Sequence, residues 1–109
     1  MTFEELNISV QLIQGLAELN INTPTEIQAK AIPILKKYDC DFVGQAQTGT
    51  GKTAAFGLPI LENINPENPK IQAIILSPTR ELAQQIAKQL FKFTKYSSRK
   101  TFVEAVYGG

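Results

Sequence analysis

Eight residues between a predicted strand and a predicted helix have the composition of a phosphate-binding loop. The segment reads Ala46-Gln47-Thr48-Gly49-Thr50-Gly51-Lys52-Thr53 and follows the short apolar run Phe42-Val43. Because Gly49 and Gly51 carry no Cβ, the backbone can turn tightly there and bring successive amide N–H groups close to a ligand. A helix that starts near Gly51 adds the unpaired N–H groups of its first turn, which favour an anion. The segment therefore predicts a site for phosphate groups.

Lys52 and Thr53 indicate which phosphate compound this loop would hold. A lysine at this point of a strand-loop-helix unit reaches the β and γ phosphates as a point charge, and the threonine hydroxyl is placed to ligate Mg²⁺. The segment matches the template G-x-x-x-x-G-K-[ST] at every position except the first, which is Ala46. Alanine can occupy that position if its φ is negative. The plain alternative is a glycine-rich surface turn followed by a capped helix. The sequence predicts a nucleoside triphosphate with Mg²⁺.

The charges of the chain are unevenly distributed. The 109 residues have a formal net charge of only +1, so bulk electrostatics predict no polyanion partner. Residues 1–79 hold five Lys or Arg against eight Asp or Glu, whereas residues 80–109 hold six against two. From charge alone we favour a solvated helix face over a binding surface. The cations of the second part are Arg80, Lys88, Lys92, Lys95, Arg99 and Lys100.

The composition also excludes several kinds of site. The chain has no histidine, which is the usual general base and the commonest metal ligand, and Cys40 is its single cysteine. It therefore has neither a disulfide framework nor a multi-cysteine metal site. Glu4 and Glu5 lie near the start and no long apolar run is present. We therefore expect no secretory signal, no membrane contact and a cytoplasmic protein.

Residues 1–40 are predicted to form a helical front end. Ser9 is placed to cap a helix that stops near Asn20. Thr23 is predicted to cap a second helix, because Glu26 follows it at the spacing of a capping box.

Residues 41–109 are predicted to form a core that alternates strand, helix, strand, helix and strand. The predicted strands are 41–44, 71–76 and 101–107, and the second helix carries an apolar stripe and is capped by the segment Ser77-Pro78-Thr79. Strands separated by helical segments of this length form a parallel sheet with flanking helices, so the predicted fold class is α/β. Ligands of such folds bind at the carboxyl ends of the strands. The phosphate loop, residues 77–81 and Gly108-Gly109 all follow a predicted strand.

Four segments together resemble the first sequence motifs of the DEAD-box RNA helicases, in their order and across the whole chain. These segments are Thr23-Pro24-Thr25-Glu26-Ile27-Gln28, Ala46 to Thr53, Pro78-Thr79-Arg80-Glu81-Leu82-Ala83-Gln84-Gln85 and Gly108-Gly109. The chain departs from the family pattern where Asn20, Ile21 and Glu26 replace its usual Gly-Phe and Pro. The resemblance implies an incomplete RecA-like P-loop domain.

The resemblance also implies roles for individual residues. Gln28 would read adenine, Phe3 would stack on the base, and Ala46 to Thr53 would hold ATP with Mg²⁺. Lys52 and Thr53 would be the catalytic residues of this part. The residues implied to contact the RNA backbone are Pro78, Thr79, Arg80, Gly108 and Gly109.

The chemistry of Gln28 leaves two roles open. A primary amide offers a donor and an acceptor side by side, which matches the edge that adenine presents and mismatches guanine. Alternatively, Gln28 caps its own helix in a second possible capping box with Thr25. If Thr23 is the cap, Gln28 is left for the base.

The resemblance places the Asp-Glu-Ala-Asp segment and a second domain beyond Gly109. We therefore expect the front part of an ATP-dependent RNA helicase, which alone lacks the carboxylate that ATP hydrolysis requires. The whole protein would couple ATP hydrolysis to RNA unwinding or remodelling. The alternatives are another P-loop protein, such as a kinase or GTPase, and a non-catalytic module that binds nucleotide or RNA.

Overall fold

The computed structural model describes residues 1–37, 50–65, 67–97 and 103–106. These residues contain four helices, α1 (Val10–Glu18), α2 (Glu26–Lys37), α3 (Thr50–Asn63) and α4 (Arg80–Phe93). Helix α3 packs on α2, and α4 contacts both α1 and α3. None of these described helices is long and apolar enough to cross a membrane. The buried core joins the amino-terminal segment to all four of these helices through Phe3, Leu6, Ile8, Leu12, Leu16, Ile32, Ala54, Leu58, Leu90 and Phe93.

The predicted starts of α1 and α4 are confirmed. The Ser9 hydroxyl accepts a hydrogen bond from the backbone N–H of Leu12, at 3.5 Å. The Thr79 hydroxyl accepts one from the N–H of Leu82, at 3.1 Å. In both cases the cap has extended backbone and satisfies an N–H that the helix itself cannot bond. Two short polar residues therefore fix where these helices begin.

The predicted start of α2 is wrong. Helix α2 begins at Glu26, and its cap is Thr25 instead of Thr23. The Thr25 hydroxyl accepts from the Gln28 N–H at 3.4 Å, and the Gln28 Oε1 accepts from the Thr25 N–H at 3.0 Å. This reciprocal pair is a capping box, and it satisfies two N–H groups at once. Gln28 is buried whereas Thr23 is exposed, so the box that also fills the interior is the one that forms.

The predicted sheet is not formed in the part of the chain that the structure describes. Residues 71–76 and 103–106 have no regular secondary structure, so the α/β prediction fails there while its helices are present. A strand needs a partner for its backbone N–H and C=O groups, and an apolar sequence alone does not provide one. The predicted strand 41–44 and residues 101, 102 and 107 lie outside the described residues.

Helices α1 and α4 approach each other closely at Gly15. A Cβ at Gly15 would collide with the carbonyl oxygen of Phe93, so only glycine fits this contact. About one helical turn further along, the Glu18 carboxylate accepts a hydrogen bond from the Tyr96 hydroxyl at 2.5 Å. The same carboxylate forms an ion pair with the Lys95 ammonium at 2.8 Å. We call Glu18, Lys95 and Tyr96 the α1–α4 clamp. It fixes the carboxyl end of α4 against the front end.

The clamp makes this contact dependent on pH. The hydrogen bonds from Lys95 and Tyr96 lower the pKa of Glu18, and Glu18 raises the pKa of both Lys95 and Tyr96. A lowered acid pKa gives stability that is lost as pH falls through it. A raised pKa on a group that donates a proton gives stability that is lost as pH rises through it. The clamp is therefore complete only between these two limits.

We predict that thermal unfolding of the chain shows an acid limb below the ordinary pKa of a glutamate and an alkaline limb above the ordinary pKa of a tyrosine or lysine, and that the clamp contributes to both. Glu18→Gln should flatten both limbs, because it removes the shared acceptor charge. Glu4→Gln is the matched control, since it removes one exposed carboxylate elsewhere. Profiles of Glu18→Gln and the unmutated chain that superimpose would contradict this assignment.

The exposed run 71–76 gives a second prediction. Ile71, Ile74 and Leu76 are 83%, 77% and 90% exposed, and the run has no charge and no proline. Such segments pair edge to edge with other chains. Ile71→Lys with Ile74→Lys should therefore raise the concentration at which light scattering detects association, with an unfolding free energy changed by less than about 0.5 kcal/mol.

Val10→Lys is the control for this experiment. Val10 is 65% exposed but lies in α1, so the change adds charge without touching the run. Equal protection by Val10→Lys would mean that net charge causes the effect, and the run would not be the associating segment.

Candidate nucleotide and RNA site

The Gln28 side chain joins the start of α2 to the start of α3. It is 1% exposed, and its Nε2 donates to the carbonyl oxygen of Gly51 at 3.0 Å. Its Oε1 accepts from the Thr25 N–H, as described above. The same amide therefore caps one helix and holds the first turn of the other. The glutamine predicted to read a base and the loop predicted to hold phosphates are adjacent.

Both Gln28 roles weighed from the sequence are compatible in this geometry. A primary amide has two N–H donors and two acceptor lone pairs. The bond to Gly51 uses one donor, and the bond from Thr25 uses one acceptor. These two bonds leave one donor and one acceptor unused, and because the side chain is 1% exposed, another partner would reach them only if the atoms that cover the amide moved. Capping of α2 is therefore observed, and adenine reading stays a prediction.

Helix α3 begins at Thr50, within one residue of the start predicted near Gly51. Lys52 is half-buried and Thr53 is buried in the first helical turn. A Cβ built on Gly51 would meet Gln28 and Thr25 only at ordinary van der Waals distances of 3.6 to 3.7 Å. Protein packing on this side therefore does not require glycine, whereas close approach of a ligand would. Residues 46–49, predicted to form the rest of the loop, lie outside the described residues.

Phe3 occupies the core in this structure. Its ring is 1% exposed and belongs to the cluster that contains Leu6, Ile8 and Leu12. In this placement Phe3 is a hydrophobic anchor for the amino-terminal segment. Stacking on a base would require one face of the ring to be uncovered, so that role stays a prediction.

The predicted RNA-contacting residues lie at the start of α4. Pro78, Thr79 and Arg80 are exposed, and the backbone just before the helix is held by a hydrogen bond from the Ser77 hydroxyl to the Thr79 carbonyl at 3.3 Å. Leading N–H groups of a helix and a neighbouring arginine suit a phosphate. Gly108 and Gly109 lie outside the described residues, so the structure does not place them beside Arg80.

Two long-range contacts of this region were missed from the sequence. One is the Gln28 to Gly51 bond, and the other joins Ser9 N–H to the Glu62 carboxylate at 2.6 Å. The second contact ties the start of α1 to the end of α3. Neither pair has a local sequence signal, because the partners are 23 and 53 residues apart.

Comparison with protein families decides between the kinds of P-loop protein. A family model described as DEAD/DEAH box helicase matches residues 25–109. The chain belongs to this family. The predicted resemblance is therefore confirmed, and a kinase or a GTPase is set aside.

Relatives within the DEAD/DEAH box family cover almost the whole chain. DEAD-box ATP-dependent RNA helicase CshA of Bacillus subtilis is 47% identical over 109 residues, 100% of this chain and 22% of the relative. RNA helicase CrhR of Synechocystis is 48% identical over 99% of this chain and 21% of the relative. The chain therefore spans about a fifth of the length of these relatives.

Solved DEAD-box structures share the arrangement of the chain. S. cerevisiae Dbp5 bound to RNA and ADP BeF3 superposes with a TM-score of 0.81 and 38% identity, over 88% of this chain and 25% of that one. A DEAD box protein from Methanococcus jannaschii gives a TM-score of 0.82 and 40% identity, over 92% and 27%. These similar structures therefore support the predicted fold class, although no strand forms in the described residues.

The Gln28 bridge predicts a stability effect. Gln28→Glu keeps an acceptor for the Thr25 N–H but replaces the donor that faces the Gly51 carbonyl with an oxygen. We expect it to lower the free energy of unfolding by about 1 to 3 kcal/mol, the usual result of leaving a buried polar group unsatisfied. Denaturant unfolding measures the change. Gln85→Glu, the same substitution at an exposed position of α4, should have almost no effect. Equal stabilities of the two variants would contradict the bridge.

Proposed function

We propose that this chain is the nucleotide-binding front part of an ATP-dependent RNA helicase. The observation that carries the proposal is the buried Gln28 amide bonded to Gly51, because it joins the side chain that would read the base to a residue of the segment that would hold the phosphates. Membership of the DEAD/DEAH box family supports the same conclusion. The relatives named as RNA helicases support the reaction class.

Gln28 would select adenine. Its remaining donor and acceptor lie on one amide, and adenine offers an acceptor and a donor at matching positions. Guanine presents an acceptor where adenine presents the amine, so the same amide would face one mismatched pair. Phe3 would stack on the base if its ring becomes uncovered. The proposed preference for adenine depends on Gln28 alone.

The first turn of α3 would hold the phosphates. Lys52 would neutralise the β and γ phosphates, and the leading amides of the helix would donate to their oxygens. The Thr53 hydroxyl, in the same turn as Lys52, is the hard oxygen ligand that Mg²⁺ accepts. When bound, Mg²⁺ would withdraw charge from the transferring phosphoryl group. Lys52 and Thr53 are thus the catalytic residues that we propose for this part.

RNA would be held by its backbone at the start of α4. Thr79, Arg80 and the first amides of the helix suit phosphate oxygens, and none of the proposed contacts forms a base-reading set. Gly108 and Gly109 would allow a second close approach of the RNA backbone. Binding would therefore tolerate many RNA sequences. The whole protein, which we propose to be cytoplasmic, would use ATP hydrolysis to unwind or remodel this RNA.

We predict that a complete helicase core containing this chain binds ATP more tightly than GTP and hydrolyses ATP when RNA is added. Gln28→Ala should lower the ATP preference by about 1 to 3 kcal/mol, roughly one to two decades in affinity. Lys52→Ala should abolish turnover. Fluorescence titration with both nucleotides and a phosphate-release assay measure the two effects.

The 109-residue chain alone is the control for turnover. It should show no Mg²⁺-dependent hydrolysis above background, with or without RNA, because the required carboxylate is expected elsewhere in the core. Steady ATP turnover by the chain alone that is lost in Lys52→Ala would contradict the prediction that hydrolysis needs a carboxylate from elsewhere in the core. Equal affinity of the unmutated core for ATP and GTP would refute adenine reading.

A further inference from the structure

Helix α4 carries a stripe of exposed residues on the side opposite its buried residues. Arg80, Gln84, Lys88 and Phe91 follow one another at intervals of four, four and three residues, so they lie on one face of the helix. All four are exposed. The opposite face packs into the core through Ile86, Leu90 and Phe93. We name these four outward residues the outer stripe.

Phe91 is the unusual member of the outer stripe. Its side chain is 65% exposed, although a phenylalanine normally gains about 1.5 to 3 kcal/mol from burial. Lys88 lies about one turn before it on the same face, and exposed Lys92 is next in sequence. The nearby Lys95 is already paired with Glu18 in the clamp. An exposed aromatic ring is therefore flanked by two lysines that have no acidic neighbour on their own helix within four residues.

From this arrangement we propose that the outer stripe binds single-stranded RNA and extends the RNA track along α4. The proposal rests on the proposed function, because the stripe begins at Arg80, where the RNA backbone is proposed to bind. Exposed aromatic rings stack on bases of any sequence while lysines attract the phosphates between them. The stripe offers this combination over an axial length of about 16 Å.

The size of the patch argues for RNA over a protein partner. A specific protein interface buries about 800 Å² on each side around a cluster of apolar or aromatic anchors. The outer stripe has a single apolar side chain among donor groups. One ring is enough for one base, whereas it is too little for a protein interface. Helix α4 contains three Lys or Arg residues and one acidic residue, Glu81. Its positive charge also matches a phosphate backbone.

The test measures the affinity of a complete helicase core containing this chain for oligouridines of about four to about 16 nucleotides, the span of typical single-strand sites. Phe91→Leu removes the ring but keeps apolar area, and Lys88→Gln removes one cation. We expect Phe91→Leu to weaken the long RNA by about five- to 100-fold and the short RNA little. Lys88→Gln should reduce the salt slope for the long RNA by about 0.7.

Two controls separate stacking from general charge and structure. Phe91→Trp should keep the affinity, since it keeps an aromatic face. Lys70→Gln is the control for Lys88→Gln, because it removes an exposed lysine outside α4 and should leave the RNA affinity unchanged. Unchanged binding of the long RNA by Phe91→Leu and Lys88→Gln would overturn the proposal. A lower melting temperature of Phe91→Leu would also overturn it, because the ring would then be covered by the rest of the protein.

The outcomes also distinguish this inference from the proposed function. If Arg80→Ala loses binding to both RNAs while Phe91→Leu and Lys88→Gln have no effect, the proposed function stands and the extension along α4 is wrong. If the unmutated core binds no RNA in the presence of ATP, both fail. If an acidic peptide competes with the long RNA but the ring variants bind RNA normally, the stripe is a protein-docking face and the proposal is wrong.

Discussion

The amide of Gln28 is the contact on which the arrangement of the site depends. It is buried, it satisfies the Thr25 N–H at the start of α2, and it holds the Gly51 carbonyl at the start of α3. A buried polar group that loses its partner costs free energy, so this bridge restricts how the two helices can sit. The consequence is chemical as well as structural. The side chain that would recognise the base is fixed to the turn that would hold the phosphates.

The remaining contacts hold this pair of helices against the other pair. Glu62 near the end of α3 accepts from the Ser9 N–H at the start of α1, and Gly15 lets α1 approach α4. The clamp on Glu18 then fixes the carboxyl end of α4. Helix α4 is thus anchored at its far end and by its buried face, while its first turn and its outer stripe are exposed. An anchored helix with an exposed first turn is suited to binding an extended ligand.

Local signals in the sequence predicted the local structure well. Ser9 and Thr79 were identified as caps because a short polar side chain before an apolar repeat bonds an N–H two or three residues on. The start of α2 was misplaced because two capping boxes overlap and burial of Gln28 decided between them. The predicted strands did not form in residues 71–76 and 103–106, since pairing depends on partners far along the chain. The Gln28 to Gly51 bridge was missed for the same reason, although both residues had been assigned to the site.

The most direct test of this account is the nuclear magnetic resonance signal of the Gln28 side-chain amide during nucleotide titration of a complete helicase core containing this chain. The proton bonded to Gly51 should be protected from exchange with or without nucleotide, whereas the second proton should shift and become protected only with ATP and Mg²⁺, because it then engages the base. GTP should leave the second proton unshifted. A Gln28 amide that exchanges freely without nucleotide, or that responds identically to ATP and GTP, would contradict the central claim.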